Sequence, residues 1–99
     1  VIIEEGTQID ENTVIKGPAI IGKNCVIRNA YIGPYTSIGD DCVIENTEVE
    51  DSVILEGSEI RNAGRILESL IGRGVKILNS DNHPIGRKLV VGDNSQLML

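Results

Sequence analysis

The sequence predicts an all-β fold in which a single chain winds into a parallel β-helix of about four to five coils, followed by a strand-turn-strand cap. Three observations support this prediction. An aliphatic residue recurs at every fifth or sixth position, a small residue stands two positions before it, and the residue types at the predicted corners follow the same period. Such a short repeat, sustained along a chain of 99 residues, is typical of a solenoid.

The aliphatic positions form the predicted inner lining of the coils. They are Ile3, Ile9, Ile15, Ile21, Ile27, Ile32, Ile38, Ile44, Val49, Ile54, Ile60, Ile66, Ile71 and Ile77. The residues two places earlier share the same side of each short strand and are small or slender. They are Thr7, Thr13, Ala19, Cys25, Ala30, Thr36, Cys42, Thr47, Ser52, Ser58, Gly64, Ser69 and Val75. A bulky residue paired with a small one suits a narrow, three-sided tube.

Grouping the repeats in threes gives coils that start at Ile9, Ile27, Ile44, Ile60 and Ile77, and three corner or surface columns test this register. Two residues after these starts stand Glu11, Asn29, Asn46, Asn62 and Asn79, so that four asparagines are predicted to stack. Another corner holds Gly6, Asn24, Asp41, Gly57 and Gly74, residue types that accept positive φ. A third column, Asp10, Arg28, Glu45 and Arg61, alternates in charge from coil to coil, which favours stacking.

The segment Gly17 to Asn24, GPAIIGKN, has the glycine spacing and lysine of a phosphate-binding loop. Such a loop needs a Ser or Thr hydroxyl for Mg²⁺ after the lysine, and a helix whose N-terminus faces the phosphates. Asn24 stands in the hydroxyl position, and the repeat makes this segment one short strand with its corner. We therefore predict that it binds no nucleotide.

Composition restricts the function further. The net charge of −6 disfavours nucleic acid and anionic membranes as partners, since both require clustered cations. The sequence has no signal peptide, no long apolar run and no N-glycosylation triplet, which predicts a cytoplasmic protein. Because Val1 is not a methionine and the apolar pattern is already running at Ile3, we expect the sequence to be a fragment.

The period fails after Asn79. We predict a hexapeptide-repeat β-helix over residues 1–78 and a loop with a capping segment over residues 79–99, in which Leu89–Val91, Gly92–Ser95 and Leu97–Leu99 form strand, turn and strand. The terminal coil of a solenoid exposes its core and its strand edges, so we expect the tail to cover them.

His83 is the one histidine, and it is the candidate general base of a hexapeptide-repeat acyltransferase, which would deprotonate a hydroxyl or amine that attacks an acyl thioester. It lies in a polar segment beside Pro84, so we predict a solvated loop residue instead. Cys25 and Cys42 belong to one inward column and are predicted to be structural thiols on adjacent coils, although that spacing would also suit a redox pair. One histidine and two buried cysteines make no metal site.

Surface residues carry two further predictions. Asp40 with Asp41, and Glu48 with Glu50 and Asp51, fall on corners and outward faces, where they are expected to be solvated; Lys23, Arg73, Arg87 and Lys88 converge on no pocket. The outward aliphatic residues are expected to supply a contact surface: Ile20, Val26, Val43, Val53 and Leu55.

The sequence resembles the left-handed β-helix that follows the catalytic domain in long-form glucose-1-phosphate thymidylyltransferases and related sugar-phosphate nucleotidylyltransferases. The resemblance rests on Tyr31 to Gly39, YIGPYTSIG, on Ser69 to Val75, SLIGRGV, and above all on Val91 to Ser95, VGDNS, after the broken repeat and its Pro-Ile-Gly-Arg loop. It covers the whole chain and implies a left-handed coil, which the residue pattern by itself leaves open.

The resemblance also implies a parent enzyme whose N-terminal domain makes dTDP-glucose and pyrophosphate from glucose 1-phosphate and dTTP with Mg²⁺. Its Gly-rich, Arg-containing signature is absent here, so no catalytic, cofactor or metal residue is carried over. We expect a non-catalytic assembly domain that forms a homo-oligomer, a dimer or trimer, and adjoins that catalytic domain. The alternatives are an acyltransferase that uses acetyl-CoA, with His83 as base, and a plain interaction scaffold.

Overall fold

A computed structural model describes residues 1–79, 86–87 and 90–98. All secondary-structure elements assigned among these residues are β-strands. The strands are β1 (Ile2–Ile3), β2 (Gln8–Ile9), β3 (Val14–Ile15), β4 (Ala19–Ile21), β5 (Val26–Arg28), β6 (Tyr31–Ile32), β7 (Thr36–Ile38), β8 (Val43–Glu50), β9 (Val53–Ile54), β10 (Glu59–Leu67), β11 (Leu70–Ile71), β12 (Lys76–Leu78), β13 (Gly86–Arg87), β14 (Val90–Val91) and β15 (Gln96–Met98). Most have two or three residues, the length that one side of a narrow tube provides.

The strands stack into three walls, and all pairings between described strands are parallel. Wall 1 is the six-stranded sheet β1-β4-β7-β9-β11-β14. Wall 2 is β2-β5-β8-β10-β12-β15, and wall 3 is β3-β6-β8-β10-β13, because β8 and β10 are long enough to run round the corner between these walls. The predicted all-β parallel β-solenoid of hexapeptide repeats is confirmed, with about five turns.

The core is the column of inward aliphatic residues. From Ile21 to Ile77, every predicted aliphatic position is at most 1% exposed. The stacking follows the predicted coils, since Ile9 pairs with Ile27, Ile27 with Ile44, Ile44 with Ile60 and Ile60 with Ile77. Burying each of these side chains contributes on the order of 1.5–3 kcal/mol relative to leaving it in water, so the tube is held together without any large aromatic residue.

Small inward residues satisfy backbone groups between coils. The Ser58 hydroxyl donates to the carbonyl of Gly72 at 2.8 Å and accepts from the backbone N–H of Val75 at 3.2 Å. Thr7 does the same with the carbonyl of Gly22 at 2.6 Å and the N–H of Cys25 at 3.1 Å. A short polar side chain can therefore stand inside the tube because it links one coil to the next.

The positive-φ corner column is confirmed, and the predicted asparagine stack is seen at Asn29, Asn46 and Asn62. Gly6, Asn24, Asp41, Gly57 and Gly74 all have positive φ, between 55° and 81°. In the asparagine column, Asn29 donates from its side chain to Asn46 at 2.7 Å, and Asn46 to Asn62 at 2.8 Å, with positive φ at all three. The fourth member, Asn79, is buried and its N–H donates to the carbonyl of Arg61.

The tail continues the two larger sheets. β14 pairs with β11 through Ile71 and Val91, and β15 pairs with β12 through Ile77 and Leu97. These partners lie 20 residues apart in sequence, whereas Ile60 and Ile77 lie 17 apart, so the broken period reflects extra residues within one coil. The strands Val90–Val91 and Gln96–Met98 therefore lie directly on the last hexapeptide coil, and the predicted end residues Leu89 and Leu99 lie outside the described residues.

The segment that resembled a phosphate-binding loop is a strand and a corner. Its residues Ala19–Ile21 form β4, Gly22 to Asn24 turn the corner, and β5 begins at Val26. No helix follows it among residues 1–79, so this segment lacks the N-terminal amides that would hold a phosphate.

Candidate functional site

An exposed aliphatic column on wall 1 is the strongest candidate for a functional surface. The register pairs Ile2 with Ile20, Ile20 with Ser37, Ser37 with Val53, and Val53 with Leu70. Each of these residues precedes an inward isoleucine by one position, so its side chain points out of the wall. Ile2 is 58% exposed, Ile20 48%, Val53 40% and Leu70 47%. We call these four residues, with Ser37 between them, the wall-1 ladder.

The other two walls differ in chemistry at the matching positions. On wall 2 the outward column is Gln8, Val26, Val43, Glu59, Lys76 and Gln96. On wall 3 it is Val14, Tyr31, Glu48 and Arg65. Aliphatic side chains thus occupy most of the outward column of wall 1. On wall 2 they are limited to Val26 and Val43, and on wall 3 to Val14. Among the described outward columns, that of wall 1 has the most exposed aliphatic side chains, with Ser37 as its one polar position.

A shallow depression of ≈ 230 Å³ adjoins the ladder where wall 3 turns into wall 1. It is lined by Pro18, Ala19, Ile20, Tyr35, Thr36 and Ser37. Tyr35 is 71% exposed and has a positive φ of 61°, so the backbone presents its ring at the corner. Exposed aromatic side chains are enriched in protein interfaces, and this one extends the apolar surface sideways from the ladder.

The five outward aliphatic residues predicted from the sequence fall on different surfaces. Ile20 and Val53 belong to the wall-1 ladder, Val26 and Val43 are paired, half-buried residues of wall 2, and Leu55 lines a corner depression with Asp40 and Arg73. Sequence reasoning missed Ile2, Leu70 and Tyr35. Ile2 and Leu70 could have been predicted to point outward, because each stands directly before an inward isoleucine. Tyr35 could be found only from the conformation of its corner.

Charged residues are arranged along walls 2 and 3. Glu45 lies 3.2 Å from the Arg28 guanidinium and 2.6 Å from that of Arg61, as the alternating column predicted. Arg65 Nη2 lies 2.6 Å from Glu50 Oε1, and this hydrogen bond raises the pKa of Arg65. These pairs stand in solvent and link successive coils, so their role is in stacking.

The predicted solvated acids also lie at the surface. Asp40 accepts from the backbone N–H of Lys23 at 2.8 Å at one corner, and Asp41 forms the next positive-φ position. Among the residues that the structure describes, no three His, Cys, Asp or Glu side chains are grouped so as to hold a metal ion. Arg73 lies 3.9–4.0 Å from Glu56 and Asp93.

The two cysteines are free thiols inside the tube. Cys25 and Cys42 are both 0% exposed, and their sulfurs donate to the carbonyls of Gly39 at 3.1 Å and Leu55 at 3.3 Å. The neighbouring Cys25 side chain and burial both raise the pKa of Cys42. The protonated thiol of Cys42 is therefore favoured. Ser58 is the equivalent inward residue in the next coil. His83 and Lys88, the other candidates, lie outside the described residues.

The part of the chain that the structure describes contains no helix with the length and apolar character needed to cross a membrane.

Comparison with known proteins agrees with the repeat architecture. Residues 26–98 match the family model described as GMPPB C-terminal domain, and residues 1–29 match the one described as bacterial transferase hexapeptide (six repeats). The chain is 40% identical over 99 residues to a glucose-1-phosphate thymidylyltransferase of Streptomyces griseus, and 43% identical over 97 residues to one of Streptomyces antibioticus. It is 49% identical over 70 residues to the low-salt glycan biosynthesis nucleotidyltransferase Agl11 of Haloferax volcanii.

These alignments cover 100%, 98% and 70% of this chain but 28%, 27% and 20% of the three relatives. The chain therefore spans about a quarter of the length of the two Streptomyces enzymes and corresponds to their C-terminal part. The resemblance predicted from the sequence is confirmed at this level. With its fold, its repeats and nearly three quarters of its length matched by one family model, the chain belongs to the GMPPB C-terminal domain family.

Proposed function

We propose that the chain is the non-catalytic assembly domain of a sugar-1-phosphate nucleotidylyltransferase. The parent reaction is the attack of glucose 1-phosphate on dTTP, which gives dTDP-glucose and pyrophosphate. The names of the two Streptomyces relatives support this substrate class, and the Haloferax relative is also named as a nucleotidyltransferase. In this proposal the nucleotide, the sugar phosphate and Mg²⁺ bind to an N-terminal catalytic domain of the same chain.

The wall-1 ladder is the observation that carries the assembly role. Its four aliphatic side chains are each between 40% and 58% exposed and stand at paired positions of one sheet, with Ser37 between Ile20 and Val53. A second copy of this chain offers the same apolar column, so two such walls can be matched to each other. Covering one half-exposed aliphatic side chain contributes about 1 kcal/mol. A homo-oligomer, a dimer or a trimer, is the expected state.

A matched pair of valines tests this role. Val53 lies in the ladder and Val14 on wall 3, and they are 40% and 52% exposed. We expect sedimentation equilibrium of the unchanged 99-residue chain to give a mass of two or three times 10.7 kDa. Val53→Lys should shift it to the monomer, because a buried lysine would be desolvated without a partner. Val14→Lys should leave the oligomer intact.

Two results would contradict the assembly role: a monomer at every concentration of the unchanged chain, or an oligomer that Val53→Lys and Val14→Lys weaken equally. The parent reaction is tested separately, with the full-length enzyme. Pyrophosphate release from dTTP that requires glucose 1-phosphate supports the proposed substrates, and release that is equal without the sugar phosphate excludes them.

A further inference from the structure

The corner between walls 1 and 2 carries a column of charged residues beside the wall-1 ladder. They are Glu5, Lys23, Asp40, Glu56 and Arg73. The backbone fixes their stacking, because the carbonyl of each accepts from the N–H of the positive-φ residue in the next coil. Along the coils the charges are negative, positive, negative, negative and positive. We call these five residues the corner column.

The wall-1 ladder and the corner column share a centre in one coil. Ser37 is the polar position of the ladder, and Ile20 and Val53 flank it one coil before and one coil after. The same coil carries Asp40 at the corner, and the corner residues one coil before and one coil after it are opposite in charge. A half turn about an axis along this coil exchanges the coil before with the coil after. It therefore places aliphatic side chains against each other and a cation against an anion.

We propose that two copies of this chain pair wall 1 against wall 1, with their coils running in opposite directions, about a two-fold axis at Ser37. This inference rests on the proposed function and selects a dimer from the two oligomers expected there. Ile20 of one copy packs on Val53 of the other, and Ser37 faces its equivalent. Because a serine hydroxyl both donates and accepts, the two Ser37 hydroxyls bond to each other at the axis, and neither is buried without a partner.

The corner column supplies electrostatic complementarity at the rim of this pairing. Lys23 of one copy faces Glu56 of the other, Glu5 faces Arg73, and the two-fold axis repeats both contacts. Within the described part of the chain, the Lys23 ammonium forms no salt bridge of its own. The unfavourable contact is that of Asp40 with its equivalent, and each of these carboxylates already accepts from the Lys23 N–H of its own chain at 2.8 Å.

A depression of ≈ 390 Å³ lies in the corner column at the place where Lys23 of the second copy arrives. It is lined by Gly39, Asp40, Leu55, Glu56 and Arg73. A lysine packs its methylene stem on apolar surface and directs its ammonium to anions. Leu55 provides the apolar surface, and the two carboxylates provide the anions.

A pairing of the same two walls with parallel coils is disfavoured. In that arrangement the corner column faces the opposite corner of wall 1, so Glu56 meets Asp51, and Asp40 meets Tyr35. The first contact joins two like charges. In the antiparallel pairing Tyr35, which is 71% exposed, instead stands against its equivalent near the axis, where the two aromatic rings pack together.

An antiparallel pairing displaced by one coil is also disfavoured. Its axis lies at Val53, and opposite charges still meet at the rim. The displacement places the Ser37 hydroxyl against the aliphatic side chain of Leu70, which leaves a polar group buried without a partner. The polar position of the ladder thus fixes the axis.

Disulfide cross-linking tests the direction of the pairing. Ile20→Cys and Val53→Cys are prepared separately and oxidised alone or as an equal mixture, with the unchanged chain as the blank. A linked dimer is expected from the mixture and not from either variant alone. In the proposed dimer the two copies of Ile20 stand two coils apart, about 10 Å, which is beyond the reach of a disulfide. Linking of Ile20→Cys with itself, or of Val53→Cys with itself, to the yield of the mixture would overturn the proposal.

Exchange of two charges tests the contact at the rim. Lys23→Glu and Glu56→Lys are each expected to weaken the dimer about tenfold, because like charges then face each other twice. The double variant should bind within about threefold of the unchanged chain. Lys76→Glu, an exposed lysine of wall 2, is the control and should leave the dissociation constant unchanged. A double variant as weak as the single ones would overturn the contact.

The two proposals can be told apart when they fail. A trimeric mass, or an oligomer that is sensitive to Val53→Lys while Ile20→Cys links to itself, would overturn the antiparallel dimer and leave the assembly role in place. A monomer at every concentration contradicts the assembly role and the pairing together. Pyrophosphate release that does not require glucose 1-phosphate counts against the parent reaction and not against the dimer.

Discussion

The side-chain amide of Asn46 donates a hydrogen bond of 2.8 Å to the amide oxygen of Asn62, its equivalent one coil further on. Asn46 in turn accepts from Asn29 at 2.7 Å, so one residue type both turns the corner and joins three coils. The positive φ of 46–55° at these positions explains why asparagine serves here, since other side chains except glycine adopt it at a cost.

This ladder predicts a graded response at Asn46. Asn46→Ala removes two side-chain hydrogen bonds and places a Cβ residue at φ 49°, which we expect to cost about 2–3 kcal/mol of unfolding free energy. Asn46→Gly loses the same bonds without the backbone penalty and should cost about 1 kcal/mol less than the alanine variant. Urea denaturation measures both. Equal losses would show that the backbone conformation contributes nothing.

Removal of two buried hydroxyls, those of Ser58 and Thr36, is predicted to change the stability of the fold in different ways. Ser58→Ala deprives the Gly72 carbonyl and the Val75 N–H of their partner inside the tube and should destabilise by about 1–3 kcal/mol. Thr36 is 3% exposed, and its Oγ1 has no hydrogen-bond partner among the described residues. Thr36→Val should therefore be neutral or stabilising, because it removes a buried polar atom at nearly constant volume. Denaturation midpoints of the two variants measure these effects. An equal loss of stability in Ser58→Ala and Thr36→Val would contradict the prediction.

Acid is expected to weaken one link between the first two coils. Asp10 accepts from the Thr13 hydroxyl at 2.6 Å and from the Asn29 N–H at 3.1 Å, and the Thr13 bond above all lowers the pKa of Asp10 below its usual 3.8. A lowered folded-state pKa gives stability that is present above the unfolded value and is lost as the pH falls through the folded value.

Asp10→Asn should therefore be less stable than the unchanged chain at pH 7, and the difference should shrink below about pH 4. Denaturation midpoints measured from pH 7 to pH 2 check this. Asp41→Asn is the control, because it removes one carboxylate at a corner of another coil and leaves Asp10 in place. A difference between Asp10→Asn and the unchanged chain that stays constant across this range would contradict the assignment.

The cysteines are expected to be unreactive until the chain unfolds. Cys25 and Cys42 are 0% exposed, and the raised pKa of Cys42 disfavours the thiolate that reacts with disulfide reagents. Labelling with an aromatic disulfide reagent should be slow in the native protein and should reach two thiols per chain in urea. Fast labelling of one thiol in the native state would instead indicate a redox role, which the sequence left open.

Much of the fold was predictable because its signals repeat in every coil. The inward isoleucines, the asparagine column and the Arg28, Glu45 and Arg61 column each fix the same register, and the structure confirms all three. The tail was harder, since extra residues within one coil interrupt the period while the strands Val90–Val91 and Gln96–Met98 still stack in parallel.

The candidate surface was predictable only in part. Ile20 and Val53 were expected to point outward, but so were Val26 and Val43, and the sequence did not separate wall 1 from wall 2. Ile2, Leu70 and Tyr35 were missed, because exposure depends on the neighbours of a residue above and below. The candidate base His83 stays a prediction.

The sequence by itself determined the coil period, the inward and outward alternation and the corners, because a narrow tube allows few residue types at these positions and each coil repeats the same demand. The tertiary structure alone decided which outward side chains share a wall and which of these are exposed. Both depend on stacking between residues 16 to 20 positions apart, which brings together side chains that the local pattern does not relate.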